Sequence, residues 1–349
     1  MAKERRIKDK NKKGRKKNSL FSMFRYSISF IIFEVVFTGV VMTLVVFYGP
    51  FINVKKTVVG ALMTSGAHQY IAKWFLSDAE INNLVGTATA NSQVTQATQK
   101  VNLNAITIAH KNDTGIVRYD VSSTNGKFKG YMLLIKDPTR VKVGVSKSMG
   151  VEGELTSQIA KDNNAVAAIN AGGFVDTSTN GTTTYTGTGG IPAGILISNG
   201  NVISNNDGNL DKKVTTMGIT NAGKLLVGNY SVNDLESLNV TQAVSFMPIL
   251  VLNGHAVKIT EDGGIAPRTA IGQTADGSIL LLVIDGRQLS SLGATYQDVQ
   301  NIMLQYGAVN AINLDGGSSS TMYYDGSIIN NPCDSNGERY VPSAVYVGN

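Results

Sequence analysis

Two stretches of this 349-residue chain stop an apolar run on a polar side chain and then turn through paired glycines. They are 165-AVAAINAGGF-174 and 308-AVNAINLDGGSSST-321, and their first six residues agree at five positions. In the second, Asp315 precedes Gly316 and Gly317, so a carboxylate ends a rigid element beside backbone that a ligand can approach closely. Such a carboxylate can serve as general base, nucleophile, stabiliser of positive charge or metal ligand. It can equally be an Asx-turn residue that only shapes the loop. Asp285-Gly286-Arg287 repeats the pattern after SILLLVI. Arg287 has the planar fork that suits phosphate or carboxylate, and a β-turn with an exposed ion pair is the plain alternative. Arg268, in 266-APRTAIG-272, has no acid within four residues and stands at a strand mouth, as an anion-binding cation would. Ser318, Ser319, Ser320 and Thr321 add hydroxyls for phosphate or sugar oxygens.

Other chemistries lack their residues. The only histidines are His68, His110 and His255, in a helical stretch and in ordinary strand-and-turn surroundings, so a Ser-His-Asp triad and a histidine-rich metal centre are disfavoured. One cysteine, Cys333, excludes an intrachain disulfide and a cysteine-based zinc site. No phosphate-cradling Gly-Lys-Ser/Thr loop and no GxGxxG after a strand is present, so nucleotide hydrolysis is unsupported. What is left is carboxylates, arginines, asparagines and glycine loops, a set suited to sugars and phosphates. No cofactor is demanded. A divalent cation between acids and phosphate is compatible with the set, but no ligand spacing calls for one.

The net charge of +6 is local: residues 1–25 carry 11 Lys/Arg and two acids, leaving 20 basic against 23 acidic residues elsewhere. The body is therefore no polyanion binder by charge, and nucleic acid is not an expected partner. Residues 26–48, YSISFIIFEVVFTGVVMTLVVFY, hold one charge, Glu34, in 23 residues. That is long enough to span a bilayer, with tyrosines at both ends. The basic tail predicts a cytoplasmic N-terminus and an exported body. The run is longer than a signal-peptide core and lacks a small-residue cleavage site after it, so an uncleaved single-pass anchor is expected.

Elements must then position the chemistry. Residues 49–85 read as a stalk helix with Ile71, Trp74, Phe75, Ala79 and Leu84 on a loose stripe, and 86–100 as a polar linker. The body is β-rich: 105–110, 130–137, 141–146, 194–200, 224–230 and 278–286 are short apolar runs bounded by Gly, Asn or Asp. Helices are expected near 155–163 and after Thr295, where Asp298 completes a capping box and Val299, Ile302, Met303 and Tyr306 repeat at helical spacing before Gly307. Each runs into one copy of the repeated phrase, so the two glycine loops are expected to meet at strand ends, where ligands collect in α/β arrangements. Residues 172–190 are almost all Gly, Thr, Ser and Asn and read as a mobile flap.

In order, INAGGF (169–174), PAGILISNG (192–200), APRTAIG (266–272), LLLVIDGRQ (280–288) with 293–322, and NNPCDSNGERYVPSAVYV (330–347) resemble the phosphodiester glycosidase family over about residues 105–349. The resemblance implies an α+β fold, a β-rich domain of twisted mixed sheets with a few helices, after the basic tail (1–25), the span (26–48) and the stalk and linker (49–104). It implies hydrolysis of a sugar-1-phosphodiester, here in a bacterial surface glycopolymer or exopolysaccharide. By matching position, site residues fall on Asn170, Gly172, Gly173, Arg268, Asp285, Arg287, Asn313, Asp315, Gly316, Gly317 and Ser319. Ser318 departs from a usual glycine, and Asn-Asn-Pro-Cys-Asp lacks a cation that Arg339 can replace. On this reading Arg268 takes the phosphate with Arg287 or Arg339 helping, Asp315 is base or nucleophile with Asp285 its partner, and Asn170 and Asn313 orient sugar hydroxyls or water. The rival readings are a non-catalytic glycopolymer-binding or assembly protein on the same scaffold, and a hydrolase of ordinary glycosides.

Overall fold

The computed structural model describes residues 27–63, 69–85, 100–123, 126–175, 188–205, 208–260, 263–334 and 337–349. The basic tail, residues 86–99 of the linker, 176–187 of the flap and His68 lie outside the described residues. The chain divides into two compact units, Met1–Val58 and Val59–Asn349.

The first unit contains the helix Ser27–Tyr48, whose 22 residues are long and apolar enough to cross a membrane. The expected single stalk helix is instead three, Ile52–Met63, Gln69–Phe75 and Asp78–Val85. The last break has a local cause. Ser77 Oγ and N donate to Glu80 Oε2 (2.7 and 2.9 Å) while Glu80 N donates back to Ser77 Oγ, a capping box that starts a new helix. Restarting shifts the apolar phase: Ala72, Leu76 and Ile81 are the buried positions, and Trp74 faces out, edge-on to Tyr70.

The body is α+β and β-rich, as its short apolar runs imply. Its largest sheet has seven strands, from Ile116–Ser122 at one edge through Lys129–Ile135, Ile279–Ile284, Arg268–Thr274, Ala308–Leu314 and Ile249–Leu252 to His255–Ala256. All of these neighbours pair antiparallel. One face shares a core with two five-stranded sheets: Ile271, Leu281, Ile312 and Leu314 meet Ile169, Met322 and Val345 of one and Leu196, Met217 and Val244 of the other. The opposite face is covered by the helix Tyr296–Gln305 through Val299, Ile302 and Met303. Burial on both faces explains why Ile279–Ile284 is apolar at every position instead of alternating.

The helix Tyr296–Gln305 begins with the expected Thr295–Asp298 capping box and is followed by Gly307 at φ +79. Thr156–Asp162 leads into Ala167–Asn170 in the same way that Tyr296–Gln305 leads into Ala308–Leu314. Residues 105–110, read as a strand, form no ladder. Thr107 and Ala109 donate to the carbonyls of Ala275 and Asp276 at a hairpin turn, so this segment seals a turn and pairs with no strand.

Candidate active site

Three strands of the large sheet bring the chemistry to one end. Ile279–Ile284 and Ala308–Leu314 finish there, and Arg268–Thr274 starts between them. Arg268 pairs with Ile284, and Thr269 with Leu314. Asp285 and Asp315 therefore leave the sheet on either side of Pro267 and Arg268, their backbones about 10 Å apart at two strand spacings. Both Asp-Gly steps press on the same proline. A Cβ on Gly286 would sit 2.6 Å from Pro267 N, and one on Gly316 2.8 Å from Pro267 O. Only glycine allows either approach, so each glycine is explained by packing that holds a carboxylate in place.

After Asp315 the chain leaves the large sheet and enters the next one at Met322–Tyr324, which pairs with Ala167–Asn170. The two echoed loops meet along this crossing. Asp315 N donates to Ala171 O at 3.0 Å, and Asn170 Nδ2 donates to Asp315 O at 2.6 Å. Asn170 Oδ1 accepts from Thr269 Oγ1 at 2.8 Å and Thr321 N at 3.2 Å. Asn170 is fully buried, and these bonds stitch the two loops together. Asn313 is likewise internal: Nδ2 donates to Met247 O and Leu314 O, and Oδ1 is enclosed. Gly172 and Gly173 pack on Val244 and Phe246, with an added Cβ 3.1–3.2 Å from those side chains.

Asp285 is buried. Its Oδ1 accepts from Asn330 Nδ2 at 3.0 Å and Asn331 N at 2.9 Å. Burial pushes its carboxyl above the ordinary value, and these two donors pull the other way. Asn330 also donates to Ser320 O and accepts from Met322 N, so it ties Asp285 to the far end of the Asp315 loop. Nothing in the local pattern marks Asn330, because its role exists only where three segments meet.

Three arginines surround the loop. Arg287, at φ +58, lies against Gly317: a Cβ there would be 3.3 Å from Nη2 and 3.4 Å from Nη1. Gly317 itself is at φ +63, a conformation that glycine adopts without strain. Arg339 Nη1 donates to Ser318 Oγ at 3.1 Å, and its guanidinium stacks on Phe174 at 5.0 Å. Ser318 thus accepts from Arg339, while Ser319 is buried with its N–H bonded to Gly316 O. Arg268 is 5% exposed. Its Nε donates to Ala294 O at 3.0 Å, and Nη2 donates to Gly263 O and Gly264 O at 2.6 and 2.7 Å. Its plane covers the Tyr296 ring at 4.0 Å. Only Nη1 is left to reach a phosphate, so Arg268 is foremost a clamp. Arg268→Lys should cost roughly 3 kcal/mol, since an ammonium cannot serve three carbonyls in one plane. Denaturant melts read this directly, and an unchanged midpoint would deny the clamp.

No group of three His, Cys, Asp or Glu able to hold a metal lies among the described residues. His110 is away from the site, bonded to Asp276 at 3.0 Å.

Residues 163–348 match the family model for phosphodiester glycosidase. The SPbeta prophage-derived uncharacterized protein YomE of Bacillus subtilis (strain 168) is 46% identical over 68 residues, 20% of this chain and 11% of that protein. The N-acetylglucosamine-1-phosphodiester alpha-N-acetylglucosaminidase of Mus musculus is 28% identical over 161 residues, 40% of this chain and 30% of that protein. The chain thus spans less than a third of the length of these curated relatives. In fold it is similar to the zebrafish N-acetylglucosamine-1-phosphodiester alpha-N-acetylglucosaminidase catalytic domain auto-inhibited by pro-peptide. The TM-score is 0.56 at 24% identity, covering 70% of this chain and 87% of that one.

Proposed function

The chain belongs to the phosphodiester glycosidase family, and on that premise we propose that it hydrolyses the bond between an anomeric carbon and the phosphate of a sugar-1-phosphodiester. The observation that carries this reading is the clustering of Asp285, Asp315 and three guanidinium groups around one glycine loop. A phosphodiester already leaves an anomeric carbon readily, so the site has to neutralise the departing phosphate more than protonate it. Arg287 and Arg339 flank the Gly317–Ser318 turn for that purpose, and Arg268 contributes Nη1. Asp315 acts at the anomeric carbon as base or nucleophile, beside the developing oxocarbenium ion. Asp285, held by Asn330 and Asn331, is its buried partner. The products are a free sugar and a phosphomonoester on the other alcohol, with water supplying the hydroxyl.

The substrate we propose is a phosphate-linked polymer at a bacterial surface, reached by a body of about residues 105–349 held outside the membrane by the helix Ser27–Tyr48 with the N-terminus inside. The name of the Mus musculus relative specifies an N-acetylglucosamine-1-phosphodiester, which makes that sugar the first to try. Full-length protein with methyl N-acetylglucosaminyl phosphate should release N-acetylglucosamine and methyl phosphate. Retention of the diester with measurable binding would favour the glycopolymer-binding alternative. Equal rates on an uncharged methyl glycoside would favour an ordinary glycosidase.

A further inference from the structure

A cavity of about 330 Å³ opens at the other end of the body's smaller sheets and shares no residue with the site above. Its position follows from one strand. Ser245 lies beside the site, accepting from Gly173 N, while Thr241 lines the cavity four residues earlier, about 13 Å along Val240–Ser245. Buried Val141 and Ile219 contribute apolar surface to its lining. One wall is fixed: Gln242 is 4% exposed, its Oε1 accepts from Val143 N and Asn199 N, and its Nε2 donates to Asn199 Oδ1.

Lys142 and Asn221 are exposed at the cavity's rim and Thr241 is half-buried in its wall, so the ammonium, the amide and the hydroxyl all border the open space. Asp137, next to the lining residues Pro138 and Thr139, is buried and its oxygens accept from Asn112 N, Thr139 N and Thr139 Oγ1. The lining therefore offers one cation, neutral amide and hydroxyl groups, and a small apolar patch, with no carboxylate among its residues. A phosphorylated sugar presents the complement: anionic oxygens, hydroxyls and an apolar ring face.

We propose that this cavity is a second subsite that holds a phosphosugar unit of the polymer, away from the bond that is cut. The proposal rests on the glycosidase reading for its substrate class. It makes the protein prefer a chain of glycosyl phosphates over a single unit, with Lys142 pairing a phosphate and Asn221 and Thr241 bonding the sugar.

The test uses the full chain with two probes, methyl N-acetylglucosaminyl phosphate and a short oligomer of N-acetylglucosamine units joined by 1,6-phosphodiesters. Lys142→Ala and Thr241→Val should each raise KM for the oligomer, Lys142→Ala by about tenfold, as loss of one charge-assisted hydrogen bond implies. Single-unit kinetics and kcat should stay at wild-type values. An oligomer KM that does not move overturns the subsite. Calorimetric binding of the oligomer in an Asp315→Asn background separates this outcome from failure of the enzymatic reading. Lys142-dependent binding without turnover by the unsubstituted protein keeps the cavity and removes the glycosidase. Turnover with Lys142-independent binding does the reverse.

Discussion

Asp315→Asn should lower kcat on a sugar-1-phosphodiester by about a thousandfold and leave the fold intact, within the range expected when a positioned acid–base or nucleophilic group is lost. The two parts of that expectation come from different atoms. The fold depends on the Asp315 backbone, whose N–H meets Ala171 O and whose carbonyl meets Asn170 Nδ2. The chemistry depends on the carboxylate, which the substitution replaces at nearly constant shape. Steady-state rates beside a thermal melt separate them. Activity within about tenfold of wild type would remove Asp315 from the reacting centre. A collapsed melting curve with proportional loss of activity would make it a structural residue.

Asp285→Asn should lower kcat by about a hundredfold and at the same time make the protein more stable near neutral pH. Asp285 is 7% exposed, and burial raises its carboxyl above the unfolded value despite the donors from Asn330 and Asn331. A raised folded pKa gives a stability contribution that is complete below the unfolded carboxylate value, near about 3.9, and is lost as pH climbs through the folded value. Ionised Asp285 therefore weighs against the fold on the neutral side. Asn keeps an oxygen for both donors and removes the titration. Melting temperatures of the two proteins should converge at acid pH and separate as pH rises, with the variant higher. Curves that stay parallel from about pH 4 to 7 would show that this carboxyl does not titrate across folding. The pH–rate profile should also change on its alkaline side if the protonated form is the active one.

Much of this architecture could be read from local pattern. Ile279–Ile284 is legible because a strand buried on both faces is apolar without alternation, and Tyr296–Gln305 because its capping box and helical stripe are contained in 12 consecutive residues from Thr295 to Tyr306. The repeated AVxAIN phrase signalled two loops that meet, and they do, through Asn170, Ala171, Asp315 and Thr321. The partners of residues that depend on three-dimensional closure were not legible in the local pattern. The isolation of Arg268 from acids suggested an anion; the structure adds the carbonyls of Gly263, Gly264 and Ala294 and the ring of Tyr296, none of which a charge pattern displays. Asn170 and Asn313 look like ligand groups at strand ends and are buried in the joinery between strands. Asn330 opens the quoted NNPCD segment, yet an asparagine beside an asparagine shows nothing of the segments it binds. The segment 105–110 has strand composition but meets a turn, because composition does not say whether a neighbouring edge is available.

The Asp-Gly-Gly-Ser segment leaves one sheet and joins another within seven residues, from Leu314 to Met322. Its backbone is anchored to both, at Ala171 and Pro267 on the way out and at Asn170 on the way in. With Asp315 in its proposed role, catalytic competence and cooperative unfolding are coupled. Asp315 cannot drift from its position unless the layers separate, and the layers share one core. The amide protons of Asp315, Gly317 and Thr321 should then exchange with solvent only through global opening. The protein would lose activity and fold at a single temperature, with no intermediate that is folded but slack at the reacting carbon.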